Sequence, residues 1–266
     1  GTDGAAPGTD GSDDGGGSPT IPAVKLVVYL DDWNGGYGNW ASKIDFTKMT
    51  HLNLAFVDAT TDNNWQFADG QSDSDVQALV AKAHAAGVKV LASLGGGGGD
   101  TTVVNQYTNP SNDDALVSNV DAFLKRLSLD GVDMDIEKES NNEVGDNYGT
   151  LVSKLIATLH PEGKLVTAAV AQYLQQYMND DTLHSFDFVN IMTYSGNVSD
   201  YMSDVGFYTG TKGMAKTQIT CGIISGTSVQ TTQSIVQLAK GYGGVMLWDL
   251  GTDNQTTVYQ AIQGSL

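Results

Sequence analysis

The sequence is poor in cysteine, in positive charge and in long apolar runs, and each shortage excludes something. A single cysteine, Cys221, leaves no intrachain disulfide and no thiolate metal cage. Set in the apolar run 219–224, it reads as a small buried hydrophobe. Thirteen Lys and Arg stand against 31 Asp and Glu, a formal net charge of −18, so phosphate backbones and anionic lipid surfaces are repelled. The expected partner is therefore neutral or cationic and not nucleic acid, although solubility alone accounts for such a charge equally well. No apolar stretch approaches the roughly 20 residues of a membrane span, so none is expected. No secretory leader is recognisable, and a removed one would leave no trace. The four histidines, His51, His84, His160 and His184, lack the paired spacing of a metal site. No metal and no cofactor are expected.

What is present is concentrated between Asp130 and Glu137, which read Asp-Gly-Val-Asp-Met-Asp-Ile-Glu. Successive strand side chains point to opposite faces, so Asp133, Asp135 and Glu137 project from one side and Val132, Met134 and Ile136 from the other. Three aligned carboxylates carry a desolvation cost that ordinary folding does not require. Like charges and burial favour the neutral form of at least one of them, which makes a proton donor near neutral pH. Glu137 lies nearest the carboxyl end of the strand, where parallel α/β folds bind ligands, and is the candidate general acid. A divalent-cation cage is the alternative use of such oxygens.

Residues 1–22 are almost wholly Gly, Asp, Thr, Ser, Ala and Pro, too polar to offset ordering entropy. They are expected to form a flexible linker ahead of one catalytic domain over 23–266, a length that suits a single barrel. The aspartates at 10–15 lack the register and distal Glu of a calcium loop. Such a leader suits an enzyme that is secreted or tethered at the cell surface.

From residue 23 onward, short apolar runs alternate with helical segments. Strands are expected at 24–30, 51–57, 89–94, 131–137, 165–171, 186–193, 218–224 and 244–248, apolar on both faces except near their ends. Helices are expected at 74–86, 112–127, 148–159, 229–239 and 257–263, with a weakly patterned one at 174–183. Eight units about thirty residues apart predict an α/β fold, a single-domain (β/α)8 TIM barrel. A doubly wound open sheet is the second possibility, because spacing does not prove closure. The barrel would bring Tyr29, Phe56, Ser93, Glu137, Gln172, Tyr194 and Trp248 to one rim. The glycines of 95–99 precede Asp100 rather than Lys-Ser or Lys-Thr, so they read as a rim loop and not a phosphate loop.

These residues resemble the chitinase-like glycoside hydrolases of family 18. The most specific element is the Asp-x-x-Asp-x-Asp-x-Glu signature, here Asp130, Asp133, Asp135 and Glu137. Weaker matches follow in order at 52–56, 93–96, 192–194 and 244–248. The resemblance implies a retaining hydrolysis in which the substrate's own N-acetyl group attacks the anomeric carbon, an exception to the two-carboxylate scheme. By position, Glu137 would protonate the glycosidic oxygen and later activate water. Asp135 would orient the acetamido group, and Asp133 would share a proton or hydrogen bond with Asp135, assisted by Ser93 and Tyr29. Tyr194 would donate its hydroxyl to the acetamido oxygen. Trp248 would form the floor of the sugar site, with Tyr29, Phe56, Ser93, Gln172 and Met192 as further substrate contacts. Where many relatives have Asp after the tyrosine, this chain has Ser195.

The three carboxylates share one strand, whereas a conventional retaining pair flanks the bond from both faces of the sugar. Asp31, Asp32, Asp58 and Asp249, also near strand ends, leave a conventional nucleophile open. Residues 225–243 are too few for the α+β insertion that deepens the groove in some chitinases, which implies an open cleft suited to endo cleavage. The resemblance thus implies a chitinase of polysaccharide degradation, cleaving β-1,4 bonds in N-acetylglucosamine polymers or oligomers and acting as a monomer. An endo-β-N-acetylglucosaminidase of N-glycan cores is the first alternative. A non-catalytic sugar-binding barrel is the second.

Overall fold

The computed structural model describes residues 24–59, 64–67, 70–97, 109–137, 146–175 and 178–266. The linker expected at 1–22 lies outside them. Eight parallel strands form the frame: β1 (Lys25–Asp31), β2 (His51–Ala59), β4 (Lys89–Gly95), β5 (Gly131–Asp135), β6 (Leu165–Val170), β7 (Val189–Ile191), β8 (Ile219–Ile224) and β9 (Gly244–Trp248). Neighbours pair in chain order, and β1 closes the ring by pairing with both β2 and β9, in registers Val27↔His51 and Lys25↔Gly244. The (β/α)8 barrel is closed, which removes the open sheet from consideration. A short strand that the sequence pattern does not reveal, β3 (Trp65–Phe67), adds antiparallel to the end of β2.

The helices form where capping and periodicity agree. In α2 (Asp73–Ala85), the Ser72 side chain accepts from Asp75 N–H. Asp73 and Asp75 occupy its first turn and Lys82 and His84 its last, each sign complementing the helix dipole. The helices α3 (Asp113–Leu127) and α4 (Asp146–Leu159) follow, then α5 (Gln172–Gln175), α6 (Asp180–Ser185), α7 (Val198–Gly206), α8 (Val229–Ala239), α9 (Leu250–Asp253) and α10 (Val258–Ser265); the short α1 (Tyr37–Trp40) lies after β1. The weakly patterned stretch near 174–183 is thus two short helices. No sequence signal announced α7, whose start is capped by the Asn197 side chain accepting from Ser199 N–H. Between β8 and β9 there is only α8, with no α+β insertion.

Two cores result. The larger lies between sheet and helices, where Leu26, Val28, Leu52, Leu54, Val90, Val132, Met134 and Val166 meet Val76, Leu79, Val120, Leu124, Leu151 and Ile235. Each such buried side chain contributes roughly 1.5–3 kcal/mol. The smaller lies inside the barrel: Val27, Tyr29, Ala55, Phe188 and Met246, with Phe56, Met192, Tyr194 and Trp248 against it. The interior is not apolar throughout, contrary to the expectation of two apolar faces. Asn53, Ser93, Asp133, Thr167, Asn190 and Thr220 are all fully buried, and the last five satisfy one another by hydrogen bonds, which offsets the cost of burying them.

Candidate active site

Alternation along β5 decides the site. Val132, Met134 and Ile136 join the outer core, so Asp133, Asp135 and Glu137 face the barrel interior. The strand itself ends at Asp135, two residues earlier than the spacing suggests, and the last rung of its ladder with β4 is Gly96 N–H donating to the Asp135 carbonyl at 2.7 Å. Gly95 and Gly96 have φ of +108° and +85°. A Cβ at Gly95 would collide with the Asp135 carbonyl, and one at Gly96 would sit 2.6 Å from the Phe56 ring. The loop can therefore lie this close only as glycine. The rest of the glycine run, 98–99, lies outside the described residues.

Asp133 lies deepest. It accepts four hydrogen bonds: from Tyr29 Oη at 2.7 Å and Ser93 Oγ at 2.8 Å on Oδ2, and from Thr167 Oγ1 at 2.6 Å and Asn190 Nδ2 at 3.3 Å on Oδ1. Burial pushes its carboxyl up from the ordinary range, and these donors oppose the shift. Donors aimed at the carboxylate leave it no use as a cation ligand. Asp135 is the opposite case. Its Oδ1 is buried with no hydrogen-bond partner among the described residues. Burial, then the charges of Glu137 and Asp133, push Asp135 well above the usual carboxylate range. Glu137, half-buried, is raised by burial.

Above the row opens a cavity of about 350 Å³ lined by Tyr29, Trp33, Phe56, Gly97, Asp135, Glu137, Ala169, Met192, Tyr194, Ile224 and Trp248. Phe56 and Trp248 stack with centroids 5.4 Å apart at 27°, and Trp33 continues the face at 6.3 Å and 27° from Phe56. The Tyr194 hydroxyl has only the Met246 sulfur, at 3.9 Å, as partner among the described residues. Burial, then the charges of Asp135 and Glu137, hold its pKa well above the ordinary tyrosine value.

Of the residues singled out in the sequence, Asp135, Glu137, Tyr194, Trp248, Tyr29, Phe56 and Met192 meet at this cavity. Ser93 does not line it. Its hydroxyl lies beneath, donating to Asp133. Gln172 opens α5, exposed and off the cavity lining, just past the end of β6. Asp133 makes no hydrogen bond to Asp135; its acceptors are taken by other donors. Asp130, first of the signature, sits at the opposite end of β5, where its carboxylate accepts from Val90 N–H at 2.8 Å and Lys89 Nζ at 3.0 Å and meets His84 Nε2 at 2.7 Å. Asp31 and Asp249 do not line the cavity. Asp249 caps α9 through Thr252 N–H at 2.6 Å, and Asp31 accepts from Asn34 N–H at 2.9 Å. The Asp58 side chain lies outside the described part. Ser195 is exposed, and its hydroxyl accepts from Asn197 N–H at 3.2 Å within its own turn.

The sequence reading missed Trp33, which stands beyond the end of β1, and the buried trio Thr167, Asn190 and Thr220. A polar residue at an inward position of an otherwise apolar strand is the signal that would have found the trio.

Residues 25–221 match the family profile of glycosyl hydrolases family 18. The chain belongs to that family. The matched residues run from β1 into β8 of the barrel. Among curated relatives, an exochitinase 1 from Streptomyces olivaceoviridis is 31% identical over 51% of this chain, which spans 23% of that relative's length. An acidic endochitinase from Cicer arietinum is 27% identical, with 92% of each chain covered. Among solved structures, a family 18 chitinase, ChiB, from Flavobacterium johnsoniae superposes with a TM-score of 0.78 at 23% identity, covering 91% of this chain and 93% of that one; at that identity the likeness bears on the fold. No helix among the described residues is long and apolar enough to cross a membrane.

Proposed function

We propose that the chain is a glycosidase that hydrolyses β-1,4 bonds between N-acetylglucosamine units of chitin or its oligomers, with retention and with the substrate's acetamido group as nucleophile. The observation that carries this reading is Asp135 Oδ1: a buried carboxyl atom without a partner among the described residues, on the wall of a cavity that also presents Glu137, Tyr194 and the Trp248 ring. An acetamido N–H supplies the missing partner, and the Tyr194 hydroxyl exchanges its long contact with the Met246 sulfur for a hydrogen bond to the acetamido oxygen. Trp248 and Phe56 offer an apolar face to the sugar ring. Glu137, its pKa raised by burial, protonates the leaving oxygen and then, as carboxylate, activates the water that opens the cyclised intermediate. The positive charge that develops on that intermediate lies against the Asp133–Asp135 pair.

The two carboxylates on the cavity wall, Asp135 at the end of β5 and Glu137 two residues beyond it, come from one segment, and Asp31 and Asp249 are engaged elsewhere, which supports the substrate rather than the enzyme as nucleophile. An extracellular or surface-tethered location suits an enzyme whose polymeric substrate is insoluble.

The test is turnover of chitin oligomers by the parent chain and by Glu137→Gln, with a high-mannose glycoprotein assayed beside them and product anomers followed by NMR. Loss of turnover by at least about a hundredfold in the variant, with β-anomeric product from the parent, is expected. Equal rates remove Glu137 from the mechanism, and cleavage of the glycoprotein alone replaces chitin as substrate.

A further inference from the structure

Inside the barrel, below the floor of the cavity, Asn190 closes a hydrogen-bond network that none of the foregoing assigns a purpose. Its Nδ2 donates to Tyr29 Oη at 3.1 Å and to Asp133 Oδ1 at 3.3 Å, while its Oδ1 accepts from Thr220 Oγ1 at 2.6 Å. The amide can point only this way. Reversed, its oxygen would face Asp133 Oδ1 and a tyrosine oxygen whose proton already goes to Asp133, leaving acceptors opposed. Asp133 and Tyr29 therefore set the orientation of Asn190, and Thr220 satisfies the Oδ1 that this orientation turns away from them.

The consequence follows from counting lone pairs. A carboxylate offers about four acceptor positions. Oδ2 of Asp133 takes Tyr29 and Ser93, and Oδ1 takes Thr167 and Asn190. A proton on Asp133 needs one of these partners to accept it: the hydroxyls of Tyr29, Ser93 and Thr167 can turn to do so, whereas Asn190 Nδ2 can only donate and so favours the carboxylate. Asp135, two residues along, has no donor on Oδ1 among the described residues. We infer that Asn190, its Oδ1 held by Thr220, is a positioning residue that fills the last acceptor of Asp133, holds it ionised, and so confines the exchangeable proton of the acid row to Asp135 and Glu137.

This rests on the proposed hydrolase reading for its effect on turnover, though not for its effect on protonation. The titratable groups around Asp133 are Tyr29 from β1, Asp135 from β5, Tyr148 from α4 and Tyr194 after β7. No cation is among them, so hydrogen-bond donors alone stand against the burial that raises Asp133. Asn190 is fully buried and off the cavity lining, and its loss reaches the chemistry through Asp133 and through Tyr29, whose own hydroxyl is given to Asp133.

The decisive measurement is a ¹³C NMR titration of the aspartate side-chain carboxyls in the parent, Asn190→Ala and Thr220→Val, paired with the pH profile of kcat and KM on a chitin oligomer. Asp133 is expected to titrate about one pH unit higher in Asn190→Ala, and by less in Thr220→Val, since one donor to a charged acceptor is lost. The acid limb of kcat then moves upward by the same amount, with KM unchanged and activity recovering at higher pH. An Asp133 resonance that titrates alike in all three proteins overturns the proposal, as does a kcat lowered uniformly at every pH. Should Asn190→Ala fail to fold, Thr220→Val alone decides by the same criterion. Absence of turnover in the parent would sink the proposed function while leaving the carboxyl titration to judge Asn190.

Discussion

The Tyr29 hydroxyl donates to Asp133 Oδ2 at 2.7 Å and thereby bridges β1 and β5 across the barrel interior. Both groups are buried, so neither has water to fall back on, and burial together with Asp133 and Asp135 holds the tyrosine hydroxyl well above its ordinary pKa.

Replacing Tyr29 by Phe removes that donor while leaving the ring that packs edge-on against Trp248 at 5.6 Å. A lost hydrogen bond to a charged acceptor costs about 1.5–3 kcal/mol. Urea denaturation is expected to show a loss of that order, and kcat on a chitin oligomer to fall roughly ten- to a hundredfold with KM nearly unchanged. A rise in KM alone would mean that Tyr29 serves the sugar rather than Asp133.

Gly95→Ala tests the loop that closes over β5. At φ +108°, with the Asp135 carbonyl where the new methyl must go, the substitution combines strain with a clash and is expected to destabilise by more than about 2 kcal/mol. Thermal unfolding checks this. An unchanged midpoint would show that the loop has room to withdraw from β5.

Trp33 is 52% exposed and extends the face of Phe56 and Trp248. Trp33→Ala should raise KM for long chitin oligomers by about tenfold, from roughly 1–2 kcal/mol of lost apolar contact, and leave a two-sugar substrate little affected. Equal effects on long and short substrates would place Trp33 at the reacting sugar instead of beyond it.

The Asp31 carboxyl is raised from 3.8 to about 6 by burial and by Asp249. A raised folded-state pKa makes its contribution to stability complete below about pH 4 and lost as pH rises through about 6. Asp31→Asn supplies a permanent donor to Asp249 and keeps an acceptor for Asn34 N–H. It is expected to stabilise the protein by roughly 1–3 kcal/mol at pH 8 and by little at pH 4, as read from denaturation midpoints at both pH values. A gain independent of pH would detach Asp31 from this titration.

Legibility differed by element for physical reasons. The outer faces of the strands were readable because Leu26, Val28, Leu52 and Leu54 repeat every second residue against helices whose own apolar residues repeat at helical spacing. The strand β3, three residues long and paired only with the end of β2, offered no period to detect. The long strand expected at 186–193 contracts to Val189–Ile191, since Thr193 N–H turns back to the Ile191 carbonyl and ends the ladder. Trp33 was invisible as a site residue because loops beyond strand ends carry no periodicity.

By itself the sequence determined the alternation that sets Asp133, Asp135 and Glu137 on one face, the count of eight strands, and the aromatic and acidic residue types that converge at their ends; all are local consequences of a two-residue repeat. Only the tertiary structure decided which carboxyl is saturated and which is bare. Asp133 and Asp135 are chemically identical and two residues apart, and what separates them is the arrival of Tyr29, Ser93, Thr167 and Asn190 from four other strands, a meeting that exists only once the barrel has closed.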